Sequence, residues 1–152
     1  MTRHVAELPG LVGAELGVTD WQLIDQHRVD LFAEATGDHQ WIHVDRERAA
    51  AGPFGTTIAH GYLTLSMLSL FLDPFLELEG VAMQLNYGVD RVRFPHPVRT
   101  GSRIRCRVGV ESVEATTNGL RLVLKCVVEI EGVDKPACVA FPVAMVVPEE
   151  AA

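Results

Sequence analysis

The sequence predicts an α+β fold in which an antiparallel β-sheet wraps around a central buried α-helix. Three observations carry this expectation. The stretch from Tyr62 to Leu72 is apolar nearly all round, with Leu63, Leu65, Met67, Leu68, Leu70, Phe71 and Leu72 relieved only by small Thr64, Ser66 and Ser69, and a helix without a polar face must be enclosed by other structure. The second half of the chain alternates with period two, as half-buried strands do. Asn118-Gly119, set between two alternating segments, marks a tight hairpin.

Taken in order, residues 20–24 (DWQLI) read as a short strand leading to Asp25, a side chain suited to cap a helix that runs to about Thr36 with Val29, Phe32, Ala33 and Thr36 on one face. Gly37 stops that helix, because glycine most easily takes the left-handed conformation past a helix end. From Val44 to Gly55 the chain reads as a loop with a helical turn at Arg46 to Ala51. Thr56 or Thr57 can cap the central helix, which passes through His60-Gly61-Tyr62 to Leu72 and is followed by Pro74. The strands come next: Val81, Met83, Leu85 and Tyr87; then Ile104, Cys106, Val108 and Val110 alternating with Arg103, Arg105 and Arg107. Beyond the hairpin, Leu120, Leu122, Leu124, Cys126, Val128 and Ile130 alternate in turn, and Gly132 leads to a last strand from about Lys135 to Val147. The first few and last few residues are expected to be loose.

With 152 residues, 48% hydrophobic and 22% charged, the chain suits one domain spanning 1–152. No apolar stretch reaches the roughly 20 residues that a bilayer requires, and the start, MTRHVAELPG, has no apolar signal-peptide run. A cytoplasmic protein is expected. Cys106, Cys126 and Cys138 lie far apart within apolar alternations and form no metal-ligand spacing, so they read as reduced core thiols. A net charge of −7 argues against nucleic acid and anionic membrane as partners. Six of the eleven arginines nevertheless fall between Arg91 and Arg107. Such a strip suits a small polyphosphorylated ligand or, as readily, the solvated face of a strand.

The chemistry centres on Thr36-Gly37-Asp38-His39-Gln40-Trp41-Ile42-His43-Val44-Asp45. Five residues of continuous helix would turn Asp38 and His43 roughly 140° apart, so the two converge only because the helix has already ended at Gly37. A carboxylate and an imidazole held together beside a core move protons near neutral pH. The plainer reading is a turn-satisfying Asp and a hydrogen-bonded structural His. His39 and His60 are further imidazoles, yet no third partner at metal spacing is visible in the sequence, and no metal site is expected.

Gly37-Asp38-His39-Gln40-Trp41-Ile42-His43, Thr57-Ile58-Ala59-His60-Gly61-Tyr62-Leu63, and Arg93-Phe94-Pro95-His96-Pro97-Val98 with Gly101 stand in this order. They resemble the three motifs of the MaoC-like (R)-specific enoyl-CoA hydratases, or hydratase 2 family, of the hot-dog fold, and look most like the branch containing nodulation-protein-N-type proteins. The resemblance covers most of the chain. It implies reversible syn addition of water to a trans-2-enoyl-CoA, with Asp38 and His43 as the acid/base pair and the Gly61 amide as oxyanion donor. It implies no metal or redox cofactor, and at least a homodimer. Gln40 and Trp41 replace the family's usual Asn and Pro, so any hydrogen bond from that Asn must come from a longer side chain. Trp41 reads as a packing residue or pocket wall, Tyr62 as lining the acyl pocket or filling the core, and Asn86 as a support to the site. Arg91, Arg93 and Arg103 are candidates for the coenzyme A phosphates. The rival readings are thioester hydrolysis and an acyl-CoA-binding partner subunit of a heteromeric hydratase.

Overall fold

The computed structural model describes residues 2–149. Near the N-terminus the chain is built in rather than loose: β1 (Arg3–His4) pairs with a strand far along the sequence, and a 3₁₀ turn, Val5–Leu11, buries Val5 and Leu8 in the core. Met1 and residues 150–152, expected to be loose, lie outside the described residues. Two short strands follow, β2 (Glu15–Val18) and β3 (Gln22–Leu23).

Helix α1 (Gln26–Thr36) begins as its sequence dictates, the Asp25 carboxylate accepting the Arg28 N–H at 2.9 Å and satisfying one of the donors that a helix start leaves open. It ends at Gly37, where φ is +77° and the N–H donates to the Ala33 carbonyl at 2.8 Å. Val29 and Ala33 are buried, Phe32 is half-buried and Thr36 is exposed. One helical turn, α2 (Trp41–Val44), and a second, α3 (Arg46–Ala50), follow, the latter capped by the Asp45 carboxylate on the Arg48 N–H.

The central helix departs from expectation in three respects. It starts at Gly61, not at Thr56 or Thr57, and it runs as two segments, α4 (Gly61–Ser66) and α5 (Leu68–Leu72), joined at Met67. The start moves because the Thr57 hydroxyl, which would cap a helix, is bonded to buried side chains instead. Nor is the helix enclosed all round: Leu63, Thr64, Leu68, Phe71 and Leu72 are buried, whereas Tyr62 is 72% and Leu70 50% exposed.

Strand β4 (Leu78–Glu79) pairs in parallel with β1. The long strands β5 (Val81–Arg93), β6 (Arg103–Thr116), β7 (Gly119–Ile130) and β8 (Val133–Pro148) form an antiparallel sheet in the order β2-β6-β7-β8-β5, with β3 also on β6. The β6–β7 hairpin turns on Thr117-Asn118, one residue before the expected pair, because Gly119 already pairs with Thr116 and opens β7. A side chain at Gly119 would run into the Val146 carbonyl of β8. Gly132, with φ +74°, turns the chain into β8.

Ile104, Cys106, Val108 and Val110 face the core, joined by Leu122, Leu124, Cys126, Val128 and Ile130 from β7. All three cysteines are free thiols and buried. Burial pushes the Cys138 thiol up to about 11, and the Cys106 thiol beside Cys126, together with burial, pushes that one up as well.

On the other face, Arg103 is paired with Glu131, Arg105 with Glu129, and Arg107 with both Glu15 and Glu129. Half of the arginine strip is therefore an ion-pair ladder, and Arg103 is already engaged by a carboxylate rather than free for phosphate. The alternation in β5 also needs correcting. Met83, Leu85 and Tyr87 are 48%, 50% and 70% exposed, because β5 is an edge strand with β8 as its one neighbour in the sheet among the described residues. Among the described residues no helix is long and apolar enough to cross a membrane.

Candidate active site

Asp38 follows the left-handed Gly37 in an irregular segment between α1 and α2, and His43 sits within α2. The carboxylate is exposed and accepts the Gln40 N–H at 3.3 Å. His43 is 6% exposed. Its Nδ1 lies 2.7 Å from the Ile58 carbonyl oxygen, which only accepts, so Nδ1 carries the proton and Nε2 keeps its lone pair. Burial lowers the His43 pKa from its ordinary 6.5, opposed by the Ile58 hydrogen bond; His60 lowers it further and Asp38 raises it. The ring is therefore tuned toward the neutral, proton-accepting form.

A buried polar network holds the His43 backbone. Gln26, at the start of α1, donates through Nε2 to the His43 carbonyl at 2.7 Å and to Asp30 at 2.8 Å. Its Oε1 accepts from the Thr57 hydroxyl at 2.5 Å, and Thr57 in turn lies 2.7 Å from the Thr100 hydroxyl. Gln26 and Thr100 did not stand out in the sequence, and Thr57 did so in another role. A glutamine at a helix start reads as surface, and Thr57 reads as a cap.

The sequence shows no third ligand beside His60, yet in the fold a ring nitrogen from His43, one from His60 and a carboxylate oxygen of Asp38 lie within 4.8 Å of one another. The two imidazoles are stacked, with centroids 3.8 Å apart and planes inclined by 24°. Zinc binds in the plane of each imidazole at about 2.0–2.1 Å, and stacked rings do not aim both lone pairs at one such point. The grouping as it stands suits proton transfer better than coordination.

Gly61 is the first residue of α4, where N–H groups have no acceptor within the helix. The space that a side chain would fill is occupied by the Phe94 ring, 3.1 Å from an added Cβ. A side chain here would have to displace that ring by a few tenths of an ångström. Tyr62 points away from the core, 72% exposed and edge-on to Phe94, so it does not fill the interior. Trp41 is half-buried between the Arg48 guanidinium, 4.4 Å above its ring, and Gly52. Gln40 is exposed and its side chain makes no capping bond. Arg93 is exposed and donates to its neighbour's carbonyl at 2.7 Å. Asn86 is not brought beside the pair: it lines a cavity of about 560 Å³ between α5 and strands β5 and β8, together with Leu68, Leu72, Gln84 and Leu85.

The family model described as "MaoC like domain" matches residues 8–131. The chain belongs to this family. Among its MaoC-like relatives, 3-hydroxyacyl-thioester dehydratase Z of Mycobacterium tuberculosis is 52% identical over 137 residues, covering 90% of this chain and 91% of that protein. Nodulation protein N of Rhizobium leguminosarum is 47% identical over 141 residues, covering 90% and 86%. In structure, the MaoC-like chain is similar to the R-hydratase PhaJ1 of Pseudomonas aeruginosa, with a TM-score of 0.74 and 26% identity over 97% of this chain and 86% of that one. The sheet and its central helix are the hot-dog fold, and the MaoC-like chain is a lyase of the hydratase–dehydratase type.

Proposed function

We propose that the chain is an (R)-specific enoyl-CoA hydratase, adding water reversibly to a trans-2-enoyl-CoA to give the (R)-3-hydroxyacyl-CoA. The observation that carries this reading is the juxtaposition of Asp38 with a buried His43 whose Nδ1 is committed to a carbonyl and whose Nε2 is left as acceptor. Water is held between the Asp38 carboxylate and Nε2. Nε2 takes one proton as the water oxygen bonds to C3, and the alkene electron pair moves through C2 onto the thioester oxygen. The Gly61 N–H, at the first turn of α4, meets the charge that develops there. The proton then passes to C2, leaving H and OH of one water on the same face. Support comes from a relative named for 3-hydroxyacyl-thioester dehydration, which is this reaction in reverse.

The reading needs no metal or redox cofactor. Gln40, Trp41, Tyr62 and Arg93 are assigned to substrate binding near the pair, and Asn86 to substrate binding from the separate cavity beside α5. Arg93 is the favoured cation for the coenzyme A phosphates, since it adjoins Phe94, which covers Gly61, and has no carboxylate partner among the described residues. We further infer that the protein works in the cytoplasm as a homodimer, its two copies meeting along β5. That edge and the outer face of the helix expose Met83, Leu85, Tyr87, Tyr62 and Leu70, and such edges are usually covered.

The test is incubation with crotonyl-CoA, following loss of the enoyl-thioester absorbance and resolving product chirality. Formation of the (R)-3-hydroxy thioester is the expected result. Release of free coenzyme A in its place would overturn the reading in favour of thioester hydrolysis.

A further inference from the structure

His60 touches every part of the proposed machinery. It is 3% exposed, and its Nε2 donates to the Asp38 backbone carbonyl at 3.0 Å across a separation of 22 residues. Its ring stacks on His43 at 3.8 Å and is tilted against Phe32 at 4.9 Å. It immediately precedes Gly61 and caps α4 through its backbone, with no capping bond from its side chain. Its Nδ1 is buried without a hydrogen-bond partner among the described residues. An unpartnered buried polar atom is costly, and a phenyl ring would fill the same space without that cost. The group that an apolar ring lacks is the Nε2 donor, and that donor is spent on Asp38.

The Asp38 segment has little else to hold it. Its carboxylate makes one long bond to the Gln40 N–H, and the backbone bond before it, from the Gly37 N–H to the Ala33 carbonyl, closes the end of α1. The two imidazoles carry opposite tautomers: His43 is protonated on Nδ1 toward Ile58, His60 on Nε2 toward Asp38.

We propose that His60 is a positioning residue, one side chain that ties the Asp38 segment to the start of α4 while its stacked ring fixes the plane of His43. This role rests on the hydratase reading, because it concerns the same pair. His60 does not exchange protons with substrate.

The experiment compares His60→Phe, which keeps a flat ring and loses the donor, with His60→Gln, which keeps a donor near the Nε2 position. Folding is checked by thermal melting. His60→Phe should lower kcat by about 10²-fold, the order of loss that an ångström of misplacement brings, with KM largely unchanged. His60→Gln should recover much of that loss. Combined with Asp38→Asn, His60→Phe should cost little more than Asp38→Asn alone. Wild-type kcat in His60→Phe, or the same loss with and without the Asp38 carboxylate, would overturn the proposal.

Long-range ¹H–¹⁵N spectra of the wild-type protein provide a second arm that needs neither a variant nor turnover. They should show the Nε2–H tautomer at His60, and an Nδ1–H tautomer there would overturn the proposal. If the wild type hydrates no enoyl-CoA, the hydratase reading fails by itself, and the ring spectra still decide His60.

Discussion

An imidazole that gives its Nδ1 proton to the Ile58 carbonyl has only Nε2 left for a proton in transit, and burial lowers the pKa of His43 beneath 6.5. The sign of the pH dependence follows. The folded His43 binds its proton less readily than the unfolded one, so between its lowered pKa and 6.5 the unfolded chain carries more of that proton. This group's contribution therefore makes stability decline as pH falls below 6.5, and a series of denaturant titrations measures it. On the proposed hydratase reading the neutral ring is the base, so kcat/KM for hydration should hold level as pH falls toward 6.5 and drop below it. A half-activity point above 6.5 would contradict that assignment. Asp38→Asn and His43→Gln, shown to be folded, should each lose on the order of 10² to 10⁴ in rate, read from crotonyl-CoA turnover. Both residues were legible in the sequence because Gly37 marks where the helix must end. The atoms that tune them were not, because Ile58 acts through a backbone carbonyl and Gln26 reaches His43 across 17 positions.

Between α1 and α4, the threonine that local chemistry favours as a helix cap is taken by a longer-range demand. Thr57 completes the hydrogen bonding of Gln26, and the helix start slips to Gly61. Thr57→Val keeps the shape and strands the Gln26 oxygen in the interior, which should cost about 1–3 kcal/mol of stability; chemical denaturation reads it. Elements whose signals are local came through the sequence well. Helix α1 has its Asp25 cap and Gly37 stop, and β6 has its alternation of core residues with Arg103, Arg105 and Arg107. Short strands such as β2 and β4 carry too few residues for a period to register. They exist because β6 and β1 offer them partners.

For the whole molecule, nothing local in residues 81–93 marks β5 as the edge of the sheet. Alternation identifies a strand with one apolar face, and it is silent about whether this chain or another covers that face. Placing charge there, as Leu85→Lys with Tyr87→Lys, should shift a dimer to monomers in sedimentation equilibrium without unfolding the core, because both side chains are at least half exposed in the single chain. The interior shows the opposite condition. Cys106, Cys126 and Cys138 have relative exposures of 0%, and they lie on β6, β7 and β8, the three strands at the middle of the sheet. A thiol reagent can reach them only when the core they share with the central helix opens, so the rate at which the native protein consumes such a reagent is a clock for the opening of its core, wound without any label being added.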